Sequence, residues 1–183
     1  MGAGKTTIGR LIAKQMGMAF YDSDYEIERR TGVKIPLIFE LEGEAGFRKR
    51  ESAVIEELAQ LKNIVMATGG GVVLLLENQI FLKNNGQVIY LRANVHDLWL
   101  RTRHDKSRPL LQGGNIKQKL EKLFIERDPI YTAIADCIVD TGPQSAADIT
   151  NHIEQKLQKQ SVSDQTTKQS PATENPIEEI SGK

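Results

Sequence analysis

The sequence predicts an α/β fold, a parallel sheet covered by helices on both faces in three layers. Short β-forming runs alternate with stretches of helical periodicity, which is the pattern of a covered parallel sheet. The chain opens on MGAGKTTIGR, the end of a glycine-rich phosphate loop running into an amphipathic helix. Residues able to do chemistry cluster after the strand-like runs, where such sheets bind their ligands.

The elements follow in order. Thr7–Met16 is helical, with Ile8, Leu11 and Ile12 on one face. Met18–Asp22 (MAFYD) is the first strand. Glu44–Leu61 is a helix with Val54, Ile55, Leu58 and Leu61 at helical spacing. Ile64–Gly71 (IVMATGGG) is a strand ending in three glycines. Gln87–Ala93 and Asp136–Thr141 are the remaining strands, and Val95–Arg103, Ile116–Arg127 and Ala146–Leu157 are further helices. One domain covers residues 1–159. Residues 160–183 hold two prolines, many Ser, Thr and Gln and few apolar groups, so we expect a disordered polar tail.

Composition narrows the function. Lys plus Arg equals Asp plus Glu at 24 each, with no basic run, which argues against nucleic acid as a partner. Cys137 is the single cysteine, so no internal disulfide forms and a reducing compartment fits. The apolar run Val72–Leu76 is too short to span a membrane, and no signal peptide is visible. We expect a soluble, cytoplasmic protein. His96, His104 and His152 are scattered and suggest no metal site, and Trp99 reads as a packing residue.

The motifs suggest phosphoryl chemistry. In GAGKTT the backbone of Gly2, Ala3 and Gly4 and the helix N-terminus form an anion site. Lys5 reaches the β- and γ-phosphates, Thr6 offers its hydroxyl to Mg²⁺, and Thr7 lies near the α-phosphate. Asp22 and Asp24 in YDSDYEIE, taken as an extended i, i+2 pair, point to one side. Asp22 would support the Mg²⁺ hydration shell; Asp24 would accept substrate hydroxyls or take a proton. Capping of a helix beginning near Tyr25, by Ser23 or Asp24, is the structural alternative. Gly69, Gly70 and Gly71 let the backbone approach a ligand. In GFRKRE, Arg48 and Glu51 lie one helical turn apart, and an arginine so held suits a carboxylate. RTRHDKSRPLLQGGN reads as a basic lid at about residues 105–115, with Arg108 over the transferring phosphoryl group and Arg101 stacked on adenine.

Taken together, GAGKTT, FYDSD, GFRKRE, ATGGGV, RPLL and ERDPIY resemble the shikimate kinase family, from Met1 to about Leu157. The resemblance implies a five-stranded parallel sheet of the P-loop kinase type. It implies transfer of the γ-phosphoryl of ATP to the 3-hydroxyl of shikimate by a monomer, with Mg²⁺ as cofactor, in aromatic amino-acid biosynthesis. Lys5, Asp24 and Arg108 would be catalytic. Gly2 to Thr7, Arg101, Arg108 and Gln144 would hold ATP. Asp24, Arg48, Glu51, Gly69, Gly70, Gly71 and Arg127 would hold shikimate, with Phe39 and Phe47 as apolar walls. Thr6, and Asp22 through water, would serve the metal.

In that family the strand ahead of the loop is the central one, and here it and the first glycine of the motif would lie upstream of Met1. We expect the native protein to start earlier and the sheet to show a gap, a loss on the scale of a domain's whole stability, about 5–15 kcal/mol. Two rival readings remain open from sequence: a gluconate-type P-loop kinase, and a shortened paralogue without catalysis.

Overall fold

The computed structural model describes residues 2–103, 111 and 114–167, with side chains described as far as residue 159. Helix α1 (Lys5–Met16) buries Ile8, Ile12 and Ala13. It is followed by β1 (Ala19–Asp22), α2 (Ser23–Thr31), α3 (Ile35–Ala59) and β2 (Ile64–Ala67). A 3-10 turn, Val72–Leu74, leads into α4 (Leu76–Asn85). Then come β3 (Ile89–Arg92), α5 (Val95–Thr102), α6 (Ile116–Ile134), β4 (Cys137–Asp140) and α7 (Ala146–Thr167).

The four strands match the four expected, each trimmed at its ends. The helices differ more. α3 begins at Ile35 and bends at Gly43, which takes φ 68° where a side chain would be strained; the expected helix is its second limb. α6 continues through Pro129 to Ile134 instead of ending at Arg127. A proline inside a helix costs about 3 kcal/mol or more. Continuing the helix buries Ile134 against Ile55, Val72 and Val73. α4 has no clean apolar stripe, since Leu76 and Ile80 face solvent, and it was not expected. α7 runs past the Gln160 boundary to Thr167, because a helix satisfies its backbone locally even where the sequence is polar.

The strands are parallel, as the sequence predicts, but they form two ladders. β1 pairs with β2, Ala19 opposite Ile64 to Asp22 opposite Ala67. β3 pairs with β4, Ile89 opposite Cys137 to Arg92 opposite Asp140. β2 and β3 do not pair among the described residues. Between them runs an apolar slot of about 360 Å³ lined by Ile64, Val65, Ile89, Leu91, Ile8 and Ile153. This is the interruption expected from the sequence.

Residue alternation along the strands sorts the core into faces. Val65, Ile89 and Leu91 pack with Ile8, Ile12, Ile149 and Ile153 of α1 and α7. Met66 turns the other way, into the clusters of α3, α4 and α6. Cys137 is buried, and burial pushes its thiol pKa up, as for a packing residue. Trp99 packs against the first cluster, with the Arg103 guanidinium over its ring. No helix among the described residues is long and apolar enough to cross a membrane.

Candidate active site

A cleft of about 860 Å³ opens where β1 and β2 end and α1 begins. On one side lie Gly2, Gly4, Lys5, Thr6 and Thr7 of the glycine loop. Gly2 and Gly4 take the left-handed conformation. Ala3 is buried behind them. Arg101 ties this loop to the far side of the sheet, donating to the Gly2 carbonyl at 3.3 Å and the Gly142 carbonyl at 3.2 Å. Gln144 accepts from the Gly142 N–H at 2.8 Å. Arg101 and Gln144 thus bracket one small region beside the loop. Arg108, with most of the expected lid, lies outside the described residues.

Asp22 and Asp24 are brought to the cleft by a different geometry from the extended pair expected. β1 ends at Asp22 and Asp24 already lies in α2. Asp22 itself is the helix cap, where Ser23 or Asp24 had been the alternatives. Its Oδ1 accepts from the N–H groups of Asp24 at 3.1 Å and Tyr25 at 3.3 Å. Its Oδ2 receives the Thr6 hydroxyl at 2.7 Å.

Across the cleft Arg48 is nearly buried and reaches Glu51 at 2.7 Å and Glu44 at 2.8 Å. Burial works against the Arg48 charge, but the two carboxylates outweigh it and hold its pKa above the ordinary value. Burial pushes the Glu51 carboxyl up, with Arg48 pulling it back. Phe39 and Phe47 stand as a tilted pair with centroids 4.7 Å apart, and both line the cleft.

The glycine triplet is shaped by the site's own charged groups. A methyl on Gly71 would lie 2.2 Å from the Arg48 guanidinium. One on Gly69 would lie 2.7 Å from Asp24 Oδ1 and 2.8 Å from Glu51 Oε1. The Gly69 N–H donates to the Ser23 hydroxyl and not to the cleft. Arg127, 5% exposed, donates to the Gly70 carbonyl at 3.1 Å, as does the Tyr131 hydroxyl.

Sequence reading gave Glu44, Ser23 and Tyr131 no part in the site. The i, i+4 spacing of Glu44 and Arg48 was visible. Ser23 and Tyr131 act on backbone groups far along the chain, and no local pattern marks such a contact.

A phosphate loop facing a second pocket with its own arginines and carboxylates, on a parallel α/β scaffold, is the arrangement of a P-loop kinase for a small anionic substrate. The chain belongs to the shikimate kinase family: the family model "Shikimate kinase" matches residues 1–158. Shikimate kinase of Burkholderia lata is 58% identical over 158 residues, 86% of each chain. That of Thiobacillus denitrificans is 60% identical over 157 residues, again 86% of each. Among solved structures, shikimate kinase from Acinetobacter baumannii in complex with shikimate superposes with a TM-score of 0.86 at 48% identity, over 87% of this chain and 89% of that one.

Proposed function

We propose that this family member transfers the γ-phosphoryl of ATP to the 3-hydroxyl of shikimate. One observation carries the reading: two anion sites of different make face each other in one cleft. The glycine loop with Lys5 suits a polyphosphate. Arg48 and Arg127, on either side of Gly70 and Gly71, suit a carboxylate on a small ring. Asp24 lines the same cleft and would meet the ring hydroxyls.

In the reaction the bond between the γ-phosphorus and its bridging oxygen breaks, and a bond to the shikimate oxygen forms. Asp24 takes the hydroxyl proton. Lys5 offsets the charge shared between γ-phosphate and leaving ADP, and Arg101 holds the adenine end with the loop near Gln144. Arg48, oriented by Glu51, and Arg127 fix the ring by its carboxylate, so that one hydroxyl faces the phosphate. Arg108, outside the described residues, is assigned to the lid over the phosphates from its sequence context.

Thr6 and Asp22 fit Mg²⁺. Both offer hard oxygen atoms beside the phosphate loop, and Mg²⁺ takes few protein ligands and keeps its waters. It therefore needs no cluster of three acidic or histidine side chains, and none occurs among the described residues. When bound, the ion would supply positive charge that offsets the charge of the phosphates. The enzyme acts in the cytoplasm as a monomer on these small molecules.

The test is ADP release in a coupled assay with Mg²⁺ and ATP, with and without shikimate. Turnover that depends on shikimate supports the reading. ATP turnover indifferent to shikimate, or turnover of another polyol acid in its place, overturns it.

A further inference from the structure

We propose that Tyr131 is a positioning residue for the substrate carboxylate, acting on Arg127 through the Gly70 carbonyl. This rests on the reading of Arg127 as a carboxylate ligand. Tyr131 and Arg127 lie four residues apart on α6, on one face of the helix, and both donate to the same oxygen.

That oxygen is the tie between α6 and the middle of the glycine triplet. The flanking residues are tied elsewhere: the Gly69 N–H to Ser23, and the Gly71 carbonyl to the Leu74 N–H at 3.0 Å. Arg48 has two carboxylates hydrogen-bonded to it, whereas Arg127 is hydrogen-bonded to the Gly70 carbonyl and lies against the Tyr131 phenol, with the Glu51 charge nearby. A carbonyl oxygen has two lone pairs, and Tyr131 and Arg127 together use both. Losing the phenol leaves the oxygen, and with it the guanidinium, less fixed.

Tyr131 stands behind the loop, away from the substrate. It lines an apolar cavity of about 120 Å³ with Val73 and Ile134, while Gly70 and Arg127 line both this cavity and the substrate cleft. Its ring packs on Tyr90 at 4.8 Å, and the Tyr90 hydroxyl is engaged separately, with Asp128 at 2.8 Å. Burial pushes the Tyr131 phenol pKa up, so the hydroxyl stays protonated and donates at neutral pH.

The test is steady-state kinetics of the full chain carrying Tyr131→Phe, which keeps the ring. KM for shikimate should rise about tenfold, the worth of one hydrogen bond. kcat and KM for ATP should stay close to wild type, and the thermal midpoint should fall by no more than a few degrees. Tyr90→Phe, which removes the neighbouring hydroxyl, should leave KM for shikimate within about twofold. Combined with Arg127→Lys, the Tyr131→Phe effect should shrink, because the two residues act as one unit. An unchanged KM in Tyr131→Phe, an equal rise in Tyr90→Phe, or full multiplication with Arg127→Lys overturns the proposal. If the wild-type chain turns over shikimate and Arg127→Lys does not raise its KM, the reading of Arg127 itself has failed, and this inference with it.

Discussion

The Thr6 hydroxyl donates to Asp22 Oδ2 at 2.7 Å, while the other oxygen of the same carboxylate caps α2. One side chain therefore ties the first turn of the phosphate helix to the helix that carries Asp24. A structural role and the proposed metal role meet in Asp22 and can be separated. Asp22→Asn keeps a good capping group, so its thermal midpoint should stay near wild type. Asp22→Ala should lose about 1 kcal/mol from the missing cap. Both should raise the Mg²⁺ concentration needed for half-maximal activity. A normal Mg²⁺ requirement in Asp22→Asn would leave Asp22 as a cap alone.

Gly71 has φ −97° and ψ −5°, in the bridge region that alanine also occupies, as in type I turns. Gly71→Ala should therefore fold, yet its methyl would occupy the place of the Arg48 guanidinium. KM for shikimate should rise well over tenfold, and the thermal midpoint should fall less than in Arg48→Ala, because the displaced guanidinium is still there to pair with Glu51. Arg48→Ala should raise KM too, but should also destabilise the chain by about 3–5 kcal/mol, because Glu51, with no side-chain exposure, loses its partner. Urea unfolding distinguishes the two variants.

Glu26 gives a pH dependence. Hydrogen bonds from Arg29, opposed by burial and aided by Arg30, hold its carboxyl down at about 2. The folded pKa lies below the unfolded one, near 4.5. The contribution is thus complete above the unfolded value and is lost as pH falls from about 4.5 towards 2. Urea unfolding between pH 6 and pH 2 should show this decline, and Glu26→Gln should flatten that part of the curve.

The divided ladder predicts an exchange pattern. In a parallel strand alternate residues direct their N–H and C=O groups to opposite neighbours. Among the described residues β2 and β3 each have a partner on one side only, so protected and fast-exchanging amides should alternate along Ile64–Ala67 and Ile89–Arg92. Amide exchange followed by NMR checks this. Uniform protection along β2 would mean that its open edge is covered.

By itself the sequence determined the strands, most of the helices and the phosphate loop, and it named the residues proposed for the site. Those features are written in local signals: apolar periodicity, glycine placement, and charged residues at helical spacing such as Arg48 and Glu51. Tertiary structure alone decided the rest. Asp22 became the cap because the turn out of β1 places its oxygen over two N–H groups, a geometry that composition does not state. The glycines after β2 are small because Arg48, Asp24 and Glu51, distant in sequence, press against them. Gly70 is anchored by Tyr131 across sixty-one residues. Contacts of that separation depend on how helices pack over the sheet, so they leave no periodicity in the chain to read.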